Sequence, residues 1–82
     1  MHYVYVLRSI PIPKEHYVGY SDDLKSRFKA HNTGNSVHTS KFKPWNLLCY
    51  FAFAAEKTGR EFEYYLKTGS GRAFLKKHFL KS

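Results

Sequence analysis

Cysteine is almost absent from this sequence, because Cys49 is the only one among its 82 residues. A single thiol excludes an internal disulfide and a zinc site built from several cysteines. Cys49 lies in the apolar run of residues 47–51, where a cysteine usually serves as a small buried hydrophobe. This composition is typical of a reducing compartment, and we expect the chain to reside in the cytoplasm.

Long apolar stretches are missing as well. No run has the length needed to cross a bilayer, the N-terminus carries no apolar signal segment, and no basic amphipathic helix or lipid anchor is visible. We therefore expect no membrane association. Repeats, low-complexity tracts and Gly/Ser linkers are also lacking. Residues 1–82 are accordingly expected to form a single domain.

Acidic residues are few relative to basic ones. Fourteen Lys and Arg against six Asp and Glu give a formal net charge of +8. Such an excess favours polyanions, because their counterions are released when a basic protein binds them. Nucleic acid is the expected partner. There are two alternatives. The partner is an anionic membrane surface, or the chain is basic without having a polyanionic partner.

Seven tyrosines and seven phenylalanines supply apolar surface for a core, and their placement predicts three strands. The β-branched and aromatic runs at residues 3–7, 16–20 and 46–53 have the composition of strands. Residues 10–13 read Ile-Pro-Ile-Pro, which cannot continue a strand ladder because proline lacks the N–H donor. The first two strands are therefore expected to form an antiparallel hairpin.

A short first helix is predicted after the hairpin. Ser21 is a suitable N-cap, and residues 32–35, which contain a glycine, are expected to end the helix. Arg27 and His31 are four residues apart, and at about 100° per residue they lie beside the apolar stripe of the helix. Both side chains are therefore expected to point toward the edge of the sheet. The basic segment 36–43 is predicted to be a loop.

Two more helices complete the expected order ββαβαα, a mixed α/β (α+β) fold. The second helix is expected to begin at residues 54–56, although the capping-box pattern at residues 58–61 is an alternative start. Residues 67–71 contain two glycines and are expected to end it. A third helix over residues 72–80 is then predicted to bury Phe74, Leu75 and Phe79.

Ordered motifs along the chain resemble the GIY-YIG domain family. They are Tyr3-Val4-Tyr5-Val6-Leu7, Tyr17-Val18-Gly19, Ser21-Asp22-Asp23-Leu24 with Arg27 and His31, Lys43-Pro44-Trp45, Glu63, and the run Leu66-Lys67-Thr68-Gly69-Ser70-Gly71-Arg72. The resemblance covers nearly the whole chain and is to the small stand-alone branch and the excision-repair nuclease N-terminal domain. It implies a three-stranded antiparallel sheet flanked by helices, with phosphodiester cleavage at the sheet face.

The resemblance also implies roles for five residues. Tyr17 is expected to be the general base for the attacking water, and Tyr5 to help hold that water. Arg27 and His31 are expected to contact the phosphate, and Glu63 to bind Mg²⁺ or Mn²⁺. A tyrosine of ordinary pKa, about 10, is a weak base at neutral pH, so the base would need a neighbouring cation. The implied activity is a metal-dependent DNA endonuclease that acts in repair or recombination.

The same residues have plainer interpretations that the sequence leaves open. Tyr5 and Tyr17 are also typical of core aromatics. His31 would interact favourably with the last carbonyls of its helix. Glu63 and Lys67, four residues apart in the favourable order, are equally typical of a surface ion pair.

Four basic residues are expected to contact the phosphate backbone with little preference for base sequence. They are His38, Lys41, Lys43 and Arg72. The alternative for the first three is a solvated loop. A protein partner that supplies specificity is also expected, because many relatives rely on a separate targeting domain.

Departures from the family pattern keep a second hypothesis open. The glycine of the first motif is replaced by another residue, Tyr20 stands where some nucleases of the family carry a lysine, and an asparagine found after the metal carboxylate has no counterpart. A non-catalytic nucleic-acid-binding module with the same fold, or an adaptor within a repair complex, is therefore the alternative to the nuclease.

Overall fold

The computed structural model of this chain describes residues 1–34 and 39–80. The predicted order ββαβαα is confirmed, with a short 3₁₀ turn, Ser40–Phe42, before the third strand. The strands are β1 (His2–Ser9), β2 (His16–Ser21) and β3 (Trp45–Phe53), and the helices are α1 (Leu24–Thr33), α2 (Glu56–Leu66) and α3 (Gly69–His78).

The three strands form one antiparallel sheet in the order β2-β1-β3, so β1 is central. The predicted hairpin is confirmed, with Tyr5 opposite Gly19 and Leu7 opposite Tyr17. Residues 4–7 of β1 have no exposed surface, because helices cover both faces of the central strand. This double burial explains why β1 has an almost uninterrupted apolar sequence rather than a clean alternation.

Each face of the sheet has its own core. On one face, Val4 and Val6 pack with Leu66 of α2 and Leu75 of α3. Each side chain of this size that is removed from water contributes roughly 1.5–3 kcal/mol. This face therefore fixes α2 and α3 against the strands.

The opposite face of the sheet has a second core, which includes a tyrosine. Its buried residues are Tyr5, Leu7 and Trp45, and Leu24 and Phe28 of α1 pack against them. The side chains of β1 alternate between the faces, so Tyr5 points away from the Val4 and Val6 side. The tyrosines of both motifs consequently lie beneath α1.

The cap of α1 differs from the prediction. Asp23, not Ser21, is the N-cap, and its Oδ1 accepts a hydrogen bond from the Ser26 N–H at 3.2 Å. The Ser21 hydroxyl oxygen accepts from the Asp23 N–H at 2.9 Å and so stabilises the turn that precedes the helix. The helix ends as predicted, with Gly34 in the left-handed conformation at φ 81°.

The boundary between α2 and α3 was predicted only in part. Helix α2 begins at Glu56, as preferred, but α3 begins at Gly69 rather than at residue 72. Thr68 is its N-cap, with a hydroxyl oxygen that accepts from the Gly71 N–H at 3.2 Å. The two glycines indicated an interruption, whereas both lie inside the first turn of α3.

The end of α3 also differs from the prediction. Leu75 is buried and Phe74 partly buried, but Phe79 is 39% exposed because the helix stops at His78. The Phe79 ring still contacts Phe51 edge-on, at a centroid distance of 5.5 Å. None of the helices formed by residues 1–34 and 39–80 is long and apolar enough to span a membrane.

Candidate active site

Two tyrosines meet where β2 carries a glycine. Tyr5 of β1 lies opposite Gly19, and Tyr17 is two residues earlier on the same face of β2. A Cβ atom at position 19 would collide with the Tyr5 hydroxyl and the Tyr17 ring. Glycine is therefore required here, because both rings approach the backbone closely. The ring centroids of Tyr5 and Tyr17 are 6.3 Å apart.

A buried chain of hydrogen bonds holds Tyr5 from behind. Its hydroxyl lies 2.8 Å from Nε2 of His31, and Nδ1 of the same ring lies 2.7 Å from Oγ1 of Thr39. All three residues are buried. The carbonyl oxygen of Thr39 accepts from Nε1–H of Trp45 at 2.9 Å. The orientation of Tyr5 therefore depends on residues from β1, α1 and the segment before β3.

Asn32 ties the end of α1 to the start of β3. Its amide nitrogen donates to the Trp45 carbonyl at 3.2 Å, and its amide oxygen accepts from the Trp45 N–H at 2.6 Å. Neither Asn32 nor Thr39 was predicted as a site residue. Single polar side chains that point inward leave no periodic signal in a sequence, so no local pattern identifies them.

His31 lies deeper than the sequence indicated. It has no exposed surface and both ring nitrogens are engaged, so the expected direct contact with a phosphate is not available in this conformation. Burial, and then the charge of Arg27, lower the pKa of His31 below its ordinary value. The ring is accordingly neutral at pH 7, and it positions Tyr5 instead.

Tyr5 remains a phenol under ordinary conditions. Burial and the nearby Tyr17 raise its pKa to about 12, Arg27 opposes the shift, and Glu63 adds to it. The Arg27 guanidinium and the Glu63 carboxylate therefore both lie within electrostatic reach of the Tyr5 hydroxyl. We call Tyr5, Tyr17, Arg27 and Glu63 the tyrosine cluster. Its members come from β1, β2, α1 and α2.

Glu63 has the ion pair that its spacing permits. Its carboxylate accepts from Nζ of Lys67 at 3.0 Å, and its side chain is only 19% exposed. Within the two described segments, no group of three or more His, Cys, Asp or Glu side chains could enclose a metal ion. A lone carboxylate is still a suitable ligand for Mg²⁺, which commonly keeps several waters and binds one or two carboxylates.

Comparison with known proteins identifies the family. A model of the GIY-YIG catalytic domain matches residues 1–78. The chain belongs to the GIY-YIG family. The resemblance indicated by the motifs is therefore confirmed.

Relatives of this GIY-YIG domain fall into two groups. It is 34% identical over 71 residues to the structure-specific endonuclease subunit SLX1 of Debaryomyces hansenii, covering 78% of this chain and 20% of that protein. It is 34% identical over 68 residues to a UPF0213 protein of Bacillus pumilus, covering 82% of this chain and 67% of that protein. The chain spans 20% and 23% of the SLX1 proteins of D. hansenii and Kluyveromyces lactis.

A solved structure supports the same assignment. The UPF0213 protein of Bacillus halodurans, determined by NMR in solution, superimposes with a TM-score of 0.56 at 28% sequence identity. The match covers 93% of this chain and 82% of that one. The three-stranded sheet with its helices is therefore an arrangement that this chain shares with a UPF0213 protein.

The basic residues predicted to contact the phosphate backbone lie on different elements of the fold. Lys41 is exposed, with its ammonium 5.7 Å from the centroid of the Phe42 ring, and the Lys43 ammonium lies against Gly34 at the C-terminal end of α1. A cation there is stabilised by the helix dipole. Arg72 is exposed on α3, a helix that contributes no member of the tyrosine cluster. His38 lies outside the described residues.

The buried His31 predicts a loss of stability in acid. Its folded pKa is below the ordinary 6.5, so the unfolded chain binds a proton more readily and stability is lost as the pH falls below that value. We expect the free energy of unfolding in urea to decrease from about pH 7 to about pH 5, with a shallower decrease in His31→Gln.

A second histidine provides the comparison for this experiment. The pKa of His16 is also lowered, by burial and then by Arg8, so this histidine also reduces stability as the pH falls below 6.5. His16→Gln should remove a share of the acid sensitivity independent of the share due to His31. Equal pH slopes in the wild type and in His31→Gln would contradict the buried, neutral state of that ring.

Proposed function

We propose that this GIY-YIG domain is a divalent-metal-dependent endonuclease that hydrolyses phosphodiester bonds in DNA, with a role in repair or recombination. The proposal rests on the meeting of Tyr5 and Tyr17 at Gly19, with the charges of Arg27 and Glu63 within electrostatic reach of the Tyr5 hydroxyl. The relatives called SLX1 are structure-specific endonuclease subunits, which supports DNA as the substrate class.

The two tyrosines are suited to different roles. Tyr5 has no exposed surface and keeps its proton, because its pKa is about 12. Tyr17 is partly exposed, so a water molecule at the surface of the sheet can reach it. We assign Tyr17 as the general base, which in its phenolate form takes the proton of the attacking water and becomes the neutral phenol. Tyr5 packs against its ring and, held by His31, fixes its position.

Arg27 provides the charge that the reaction requires. It is exposed on α1, one turn before His31, and its influence reaches the Tyr5 hydroxyl. Its planar fork can donate two hydrogen bonds to one phosphate, which a lysine at this position would not reproduce. Arg27 therefore binds the scissile phosphate beside the base and stabilises the additional negative charge of the transition state.

Glu63 is the residue that would hold Mg²⁺ or Mn²⁺. Its hard oxygen donors and partial exposure suit such an ion, with the remaining ligands supplied by water and phosphate oxygens. When bound, the divalent ion neutralises charge on the phosphoryl oxygens. Lys67 competes for the same carboxylate, because its ammonium already lies 3.0 Å from it.

Metal-dependent cleavage tests this proposal directly. Single-stranded, duplex and branched DNA are incubated with the protein in Mg²⁺, in Mn²⁺ and in EDTA. We expect cleavage only with a metal, and Glu63→Gln should raise the Mg²⁺ concentration for half-maximal rate by about tenfold or more. Lys67→Met should lower it, since the competing cation is gone. Glu61→Gln, an exposed carboxylate on the same helix, serves as the matched control.

A non-catalytic nucleic-acid-binding module is the second candidate. The ion pair between Glu63 and Lys67 favours it, because a carboxylate occupied by an ammonium has less capacity for a metal. Salt-dependent DNA binding without cleavage in either metal would select this function. A repair-complex adaptor is the related alternative, since SLX1 proteins are described as subunits. It would be supported by a partner that stays bound at high salt.

A further inference from the structure

A polar cleft adjoins the tyrosine cluster. It has a volume of about 340 Å³ and lies between the start of β1, the end of β2, α1 and the first residues of α2. Arg27 lines it from α1, and Arg60 lines it from α2. The cleft therefore shares one arginine with the proposed catalytic site and has a second arginine of its own.

Arg60 is held in position by an aromatic ring. Its guanidinium carbon lies 3.8 Å from the centroid of the Tyr20 ring. The Tyr20 hydroxyl is 2.6 Å from Nδ1 of His2, and the two rings stack at 6.0 Å with an interplanar angle of 14°. A cation that packs on a fixed ring loses less conformational freedom when it binds an anion than a freely extended side chain does.

The hydrogen-bonding edge of Arg60 remains available. Its Nε lies 3.5 Å from the Glu56 carboxylate, but the two side chains are 57% and 61% exposed, and an ion pair so exposed contributes little. The guanidinium has five N–H donors, and its contacts with Glu56 and with the Tyr20 side chain still leave donors on its two terminal nitrogens for an anion. Their planar fork matches the oxygens of a phosphate.

The charges of the cleft indicate a selective rather than a general anion site. Asp22 and Glu56 line it together with the two arginines, so its formal charges balance. An anion is therefore favoured only where it contacts a guanidinium directly and displaces the weakly held Glu56. A nucleic-acid strand satisfies this condition, because it presents successive phosphates along one path.

We propose that this cleft binds a nucleic-acid backbone phosphate adjacent to the scissile one, with Arg60 as its ligand. The binding of the scissile phosphate by Arg27 rests on the proposed function. The subsite consists of Arg60, Tyr20 and His2. It determines the direction in which the nucleic-acid strand leaves the tyrosine cluster. Binding at this subsite requires no metal and no cleavage.

Binding in EDTA tests the subsite independently of catalysis. The affinity of the protein for a fluorescently labelled duplex is measured at several salt concentrations. Arg60→Gln should weaken binding about tenfold at low salt and reduce the slope of log affinity against log salt by about one. Arg60→Lys should recover only part of the loss, and Glu56→Gln should strengthen binding.

Lys57→Gln is the matched control, because it removes one charge from the same helix at an exposed position that does not line the cleft. Equal losses in Lys57→Gln and Arg60→Gln would overturn the proposal, since only the overall charge would then matter. Tyr20→Leu should reproduce part of the Arg60→Gln loss while thermal unfolding reports whether the fold is retained. An unchanged affinity in a folded Tyr20→Leu protein would contradict the supporting role of the ring.

A neutral linkage next to the cleavage position tests the path of the strand. Replacing one phosphate with a methylphosphonate should weaken binding by the wild type and have little further effect in Arg60→Gln. Equal weakening of both proteins at every position near the cleavage site would overturn the adjacent subsite. If the EDTA experiment succeeds and no DNA is cleaved under any condition, the binding cleft stands and the nuclease proposal fails.

Discussion

Replacing Tyr17 with phenylalanine is expected to lower the rate of DNA cleavage by about 10²- to 10⁴-fold, the usual contribution of a general base. The change removes one oxygen atom and keeps the ring that contacts Tyr5, His31 and Trp45. The fold and the affinity for DNA should therefore be retained. Single-turnover rates at saturating enzyme, with DNA binding measured in EDTA, separate the loss of chemistry from a loss of binding.

The other tyrosines provide graded controls for this experiment. Tyr5→Phe removes the hydrogen bond to His31 but not a base, since Tyr5 keeps its proton, so its rate should fall much less than that of Tyr17→Phe. Tyr64→Phe changes a hydroxyl on a residue that is 76% exposed on α2, and its rate should equal that of the wild type.

The ranking of these variants determines which tyrosine is the base. If Tyr5→Phe loses as much activity as Tyr17→Phe, the buried phenol participates in the reaction and the division of roles is wrong. If Tyr17→Phe cleaves at the wild-type rate, another group activates the water. In either case, the pH dependence of the cleavage rate, measured on a variant that still cleaves, would show the pKa of the group that acts as the base.

Substituting alanine for Gly71 is expected to destabilise the fold by about 3 kcal/mol. A Cβ atom at this position would overlap the carbonyl oxygen of Tyr65 and lie against the Cα atom of Leu66. Both obstacles are backbone atoms, so no side-chain rotation relieves the overlap. The junction between α2 and α3 would have to open, which would disturb the packing of the buried Leu66 and Leu75.

Gly69→Ala is the matched control for this measurement. It adds the same methyl group two residues earlier in α3, where nothing lies within 4 Å of the new atom. It should stabilise the protein by about 0.5–1 kcal/mol, because alanine restricts the unfolded chain and favours the helix. Urea denaturation measures both. Similar free energies of unfolding for the two variants would show that α3 does not pack on α2 as closely as described.

Much of the architecture was predictable from local patterns. The three strands, the hairpin and the early start of α2 were predicted because apolar periodicity and proline positions act within a few residues. The starts of α1 and α3 were predicted wrongly because capping sets them. Asp23 and Thr68 are the N-caps of α1 and α3, and a cap is defined by which side chain reaches a free N–H rather than by residue type alone.

The site was predictable as a set of residues but not as an arrangement. The motifs selected the tyrosines, Arg27 and Glu63 because their spacing resembles a known family. They did not indicate that His31 turns inward, since its partner Tyr5 is 26 residues away along the chain. Arg60 was not predicted as a site residue, because its position over Tyr20 depends on the way α2 crosses the hairpin.

The sequence by itself determined the family, the order of the elements and the basic character of the chain. Each of these depends on residue identity and short-range spacing, which are explicit in the order of the amino acids. The tertiary structure alone decided that Tyr5 is buried and keeps its proton, that His31 is buried, and that Arg60 lines the cleft as a second arginine. Burial and electrostatic contact arise between segments distant in sequence, and only the packed chain brings those segments together.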